Sequence, residues 1–351
     1  VTVKARREPL LVRPGARFDC AGDGLCCSDI HAVGPLNEED REMLAVISED
    51  AIERHEGEDV AVMMMRSDTG RCVFFGDEGC VLHSRLGPEM KPSPCIQFPY
   101  ALTATPLGGR VSTQHRCPCR TLGARPPITA EVARSNLLDS EGEVKFEHAV
   151  LDEVQWSETE TISFEEYARR EEELLRGLLE GKNLSSVLGA APFPSLEETT
   201  WLEVADALLE FQGASRAAVA ARWFADALGF LVDRRERTEH ARPWADAFER
   251  AAARVVDPVS PNQVFGDWLA DELWAMRWTH WGSLERARSE WATRLAIARR
   301  IAGWLDISTP LADNVAAAEA VMIVDVIATT DPWETILGTG SPSKNQTIPA
   351  T

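Results

Sequence analysis

Three thiols fall within eight residues of FDCAGDGLCC, at Cys20, Cys26 and Cys27. Cys72, Cys80, Cys95, Cys117 and Cys119 follow, and these eight are all the cysteines of the chain. Thiolates are soft ligands that select zinc, copper(I) or iron–sulfur clusters. Disulfides need an oxidising compartment, and inert buried cysteines do not gather as C-x5-C-C and C-P-C. Metal ligation accounts for both the grouping and the even count, so all eight are expected as metal ligands. Gly22 and Gly24 allow turns that fold Cys20 back toward Cys26 and Cys27, with backbone N–H groups donating to metal-bound sulfur. Adjacent cysteines point apart, which assigns Cys26 and Cys27 to different metals or to different atoms of one cluster.

Four thiolates hold one 4Fe–4S cluster or one structural zinc. Eight fill two such sites, or one with thiols left over. The paired C-x2-C loops of zinc knuckles are missing, so one or two 4Fe–4S clusters are favoured and zinc is the alternative. His31, His83 and His115 lie near the cysteines in sequence. Each is a candidate ligand or hydrogen-bond donor to one, against the commoner case of a histidine that merely packs. The sequence contains no G-x-G-x-x-G after a strand, no P-loop, no H-E-x-x-H and no G-x-S-x-G. The C-x3-C-x2-C spacing of radical enzymes is also absent. Glu38-Glu39 and Glu171-Glu172-Glu173 read as solvated helix faces. No side-chain constellation names a catalytic residue, so reactivity would have to come from the metal.

The order of these elements resembles the bacterial zinc- or iron-chelating cysteine-cluster (CxxCxxCC) family. FDCAGDGLCC, RCVFFGDEGCVLH and PSPCIQFPY carry the likeness. Its elements fall on Cys20, Cys26 and Cys27, on Cys72 with Phe74 and Phe75, on Cys80 and Arg85, and on Cys95 with Phe98 and Pro99. The first spacing is longer than the family's, the Arg-Pro step is stretched to RLGPEMKPSPC, and His83 replaces a tyrosine. The long first spacing and the Cys117-Pro118-Cys119 step are similar to the flagellin lysine N-methylase branch. That resemblance implies an iron–sulfur-dependent methyltransferase acting on an amine of a protein or peptide. S-adenosylmethionine would be the donor, at a cluster iron left open. A non-catalytic zinc-binding scaffold, or a metal storage or transfer protein, is the alternative.

The elements that must hold these residues divide the chain. All eleven tryptophans lie at or after Trp156, beyond the last cysteine. The expected fold class is mainly α: a loop-rich cysteine-cluster metal-binding domain over 1–149, then a Trp-rich helical domain over 150–338, with 339–351 a disordered tail. The first part should contain one helix from Glu38 to about His55, capped by Asn37, and short strands near Val73–Phe75 and Leu102–Thr105. In the second part SFEE at Ser163 and SLEE at Ser195 read as capping boxes. Ser260-Pro261 and Thr309-Pro310 read as cap-then-proline starts. The stripe of Trp268, Trp274, Trp278, Trp281, Trp291 and Trp304 reads as core. A net charge of -20 argues against nucleic acid and against anionic lipid as partners. With no apolar run of membrane-spanning length and no signal-peptide pattern, the expected compartment is the cytoplasm.

Overall fold

Pro106 and Leu107 turn the chain between two strands, Tyr100–Thr105 and Gly108–Thr113. Their antiparallel register runs from Tyr100 opposite Thr113 to Thr105 opposite Gly108. A Cβ on Gly108 would come within 2.3 Å of the Pro9 carbonyl oxygen, and one on Gly109 within 2.1 Å of that of Arg7. Glycine alone lets the amino-terminal chain lie this close. Leu10–Val12 therefore joins as a parallel strand opposite Gly109–Val111. His148–Ala149 pairs with the far side of Tyr100–Thr105 and completes a four-stranded sheet. Every residue of the two hairpin strands is buried, so both sheet faces are covered.

The structure is a computed structural model. It describes residues 5–20, 27, 35–54, 61–63, 71–76, 79–122, 125–139, 142–211, 213, 215–255, 258–280, 282–305, 307 and 312–337. The fold is mainly α. At its centre lies the Ala312–Ala328 helix, buried from Val315 to Val326. A helix apolar on all sides belongs inside a protein. The helices Arg216–Asp233, Pro261–Ala275 and Leu284–Ala302 pack against it. Trp244, Trp268, Trp278 and Trp291 are among the largest fully buried side chains, while Trp274 and Trp304 are half-buried. Trp281 lies outside the described residues. The main apolar core also takes in Phe18, Tyr100, Leu102, Cys117 and Cys119. A smaller core holds Leu36, Leu44, Met63, Cys72, Phe75 and Leu82.

Several expected starts are found. Asn37 caps Glu38–Ile47 with a complete capping box to Asp40, Ser163 caps Phe164–Leu179, and Ser260 with Gln263 boxes Pro261–Ala275. Others need correction. The first helix ends at Ile47, where Ser48 turns extended and leads to the strand Ile52–Arg54. SLEE at Ser195 starts no helix. The next helix is Trp201–Leu209, boxed by Thr200 and Glu203. The strand expected at Val73–Phe75 is Phe75–Gly76, paired with Gly79–Cys80. Thr309-Pro310 and 339–351 lie outside the described residues.

The sheet is tied to the helices through Thr103 and Arg110, which oppose each other in register. Thr103 donates its hydroxyl to the Ala275 carbonyl at 2.7 Å. Arg110 donates from both Nη atoms to the two carboxylate oxygens of Glu171, at 2.7 Å each. Tyr167 donates its hydroxyl to Glu171 Oε1 at 2.9 Å, and the Trp274 ring lies 4.2 Å from the Arg110 guanidinium carbon. Glu171 is thus a buried anchor and not part of a solvated face, although Glu172 and Glu173 are exposed. Arg110→Lys keeps the charge and loses the planar fork. It should lower stability by about 1.5–3 kcal/mol, read from the midpoint of urea unfolding followed by tryptophan fluorescence.

Candidate ligand site

The cysteines do not form the expected centre. Cys117 and Cys119 are buried in the main core, and Arg125 donates to Cys119 Sγ at 3.2 Å. Cys72 is buried in the smaller core, with Cys27, Cys80 and Cys95 packed around it. Cys20 is exposed, and Cys26 lies outside the described residues. Burial raises the Cys95 thiol well above its ordinary range, with Cys72, Cys80 and Asp40 adding to the effect against Lys91. His115 bonds to Asp271, the Nδ1 of His83 is buried without a hydrogen-bond partner among the described residues, and His31 lies outside the described residues. Among the described residues no group of three or more His, Cys, Asp or Glu side chains is placed to hold a metal ion. The reading as an iron–sulfur or zinc protein is corrected accordingly, together with its methyltransferase, scaffold and storage forms. Of the described cysteines, Cys117 and Cys119 belong to one apolar cluster and Cys27, Cys72, Cys80 and Cys95 to the other, a division the spacing could not reveal.

Charged chemistry gathers elsewhere, at the end of the hairpin. Arg13 follows the strand Leu10–Val12, and Arg120 lies on the short Pro118–Thr121 helix. Both are fully buried. They converge on Asp267 and Asp271, one turn apart on Pro261–Ala275. Asp271 accepts from Arg13 Nε at 2.7 Å, Arg120 Nη2 at 2.6 Å and Thr113 Oγ1 at 2.7 Å. His115 Nε2 lies 3.0 Å from the same carboxylate. Burial alone would raise the Asp271 carboxyl. Arg13 and Arg120 more than reverse this, helped by His115, and hold it well below the usual carboxylate range. The cluster pins the chain from Thr113 to Arg120 against the helix.

Arg116, inside that pinned stretch, borders a cavity of ≈ 250 Å³. Met276, in the left-handed region at φ 55, ends Pro261–Ala275 and turns the chain into Arg277–His280. Arg277 and Trp278 thereby reach the same cavity, as do Glu272, Glu290, Arg294 and Asp325, with Trp291 and Trp333 in its walls. Glu272 accepts from Arg277 at 3.0 Å and Arg294 at 2.6 Å. Burial would raise its carboxyl, but the two arginines take it down to about 2. Glu290 differs. Its Oε1 accepts from Trp333 Nε1 at 2.9 Å and lies 2.7 Å from Arg294 Nε, off the line of a good hydrogen bond. Its Oε2 is buried with no partner among the described residues. Burial pushes the Glu290 carboxyl up to about 7, with Glu272 adding to the effect against Arg294 and Trp333.

Arg116 caps the carboxyl end of Ala312–Ala328. Its Nη2 donates to Thr329 Oγ1 and, at 3.5 Å, to the carbonyls of Asp325 and Thr329. No carboxylate pairs with it among the described residues. Burial lowers its pKa against the pull of Asp325 and Glu272. Three guanidiniums thus meet three carboxylates, one of which holds its proton up to about pH 7. Below that pH the cavity carries more positive than negative charge.

Protein-family models, curated proteins and solved structures give no match to this chain. Among the described residues no helix is long and apolar enough to cross a membrane.

Proposed function

We propose that the chain binds a compact organic carboxylate in this cavity. Arg116 is the ion-pair partner and Glu290 is the group that holds or gives up a proton beside the ligand. One observation carries the reading: among the described residues, a guanidinium paired with no carboxylate stands in the same cavity as a carboxyl with an unpartnered oxygen. A ligand carboxylate accepts from Arg116 and takes the O–H of protonated Glu290. Trp278, Trp291 and Trp333 supply flat walls, which suits an aromatic or branched acid. A carboxyl that titrates near neutral pH is also suited to general acid or base work. In this reading the amino-terminal part, up to about 149, is a module seated on a helical body. Arg13, Arg110 and Arg120 make the joint.

Calorimetric titration with benzoate is expected to show one saturable site. Arg116→Gln should weaken it about tenfold to a hundredfold, as befits loss of a charge-assisted pair, while far-ultraviolet circular dichroism stays unchanged. Equal affinity for the neutral analogue benzamide would contradict the reading.

A further inference from the structure

A second hollow, ≈ 420 Å³, lies where Leu284–Ala302 runs past the end of Arg216–Asp233 and the segment after Leu184–Leu188. Leu231, Ala292, Leu295 and Ala296 give it an apolar lining. Small side chains leave the space open. Arg299 and Arg300 line it too. Among the described residues Arg299 bonds to neutral oxygens, Ser185 Oγ at 3.2 Å and Asn262 Oδ1 at 3.3 Å. Arg300 rests its guanidinium on Phe230, 4.3 Å from the ring centre, and its buried Nε has no hydrogen-bond partner among the described residues. Neither has a carboxylate within salt-bridge distance among the described residues. The chain carries 56 acidic and 36 basic residues, so two adjacent arginines without an acidic partner stand out. Their place in the last turn of a helix suits its dipole, but the dipole does not account for an apolar trough beside them.

We propose that this hollow is a second binding site, independent of the first, for a straight-chain aliphatic carboxylate. The alkyl chain lies on Leu231, Leu295 and the two alanines, and the carboxylate meets Arg299 and Arg300. An apolar hollow lined also by two cations with no carboxylate partner among the described residues has the complementary pattern of an amphiphile with an anionic head.

Calorimetric titration with decanoate tests this, with decanol and a hexaglutamate peptide as comparisons. One saturable site is expected. Ala296→Phe, which fills the trough, and the double change Arg299→Glu with Arg300→Glu should each weaken decanoate at least about tenfold. Arg116→Gln should leave that site unchanged, which separates it from the benzoate site. Thermal unfolding of both variants checks that they fold. If Ala296→Phe does not fold, the charge-reversal pair decides. No decanoate binding would overturn the proposal. So would decanol binding as tightly, unchanged affinity in the folded variants, or binding of the peptide in place of decanoate.

Discussion

Asp271→Ala is expected to remove about 3–5 kcal/mol of stability, the range for breaking a buried ion pair by deleting one partner. The carboxylate is 2% exposed and is shared by Arg13, Arg120, Thr113 and His115. Without it, two fully buried guanidiniums keep a single carboxylate partner among the described residues, Asp267, whose side chain is 22% exposed. Urea unfolding followed by tryptophan fluorescence measures the loss, and a change below about 1 kcal/mol would show that the cluster does not hold the hairpin. The pH dependence has a defined sign. The folded-state pKa of Asp271 is depressed, so its contribution is present above the unfolded value near 4. It is lost as pH falls through the lower folded value. Asp271→Asn removes that acid-linked component, and its stability should vary less with pH below 4 than that of the parent protein.

Glu290→Gln should act in the opposite pH direction. Its carboxyl is raised from 4.5 to about 7 in the folded protein, so between those values the folded chain holds a proton that the unfolded chain has released. The parent protein therefore loses stability as pH rises through this window, about 3 kcal/mol in all at 1.36 kcal/mol per unit. Glutamine stands in for the protonated acid and has no such loss. The difference in unfolding free energy, variant minus parent, should grow by about 3 kcal/mol between pH 4.5 and pH 8. A difference that stays level across this range would mean that Glu290 ionises like an ordinary surface carboxylate.

Local signals in the chain specify local structure more directly than distant ones specify tertiary contacts. Asn37, Ser163 and Ser260 start helices because an N-cap oxygen needs only the next three residues. PSLEETTWLEV offers two equivalent patterns, at Ser195 and at Thr200. Thr200 prevails because its helix buries Trp201, Val204 and Ala205 on one face, a tertiary preference that propensity does not contain. Glu171 looked solvated within a run of three glutamates, yet its partner Arg110 is 61 positions away. The cavity was missed for the same reason. Arg116, Glu272, Glu290 and Asp325 come from separate elements, and each alone resembles an ordinary charge. Two weak signals are present: Glu290 and Arg294 at helical i,i+4 spacing, and Arg116 directly before the Cys117-Pro118-Cys119 step. The cysteines show the converse. Their grouping along the chain suggested one centre, but the hairpin and helices carry Cys117 and Cys119 into a core apart from Cys72.

The most direct test of the anion-binding cavity is proton uptake on binding benzoate, measured by calorimetry at pH 7.5 in two buffers of different ionisation heat. An anion beside Arg116 and Glu290 favours protonated Glu290. Uptake of a fraction of one proton is therefore expected in the parent protein and none in Glu290→Gln, with affinity falling as pH rises above 7. Binding without proton exchange, or no binding at all, would contradict the account.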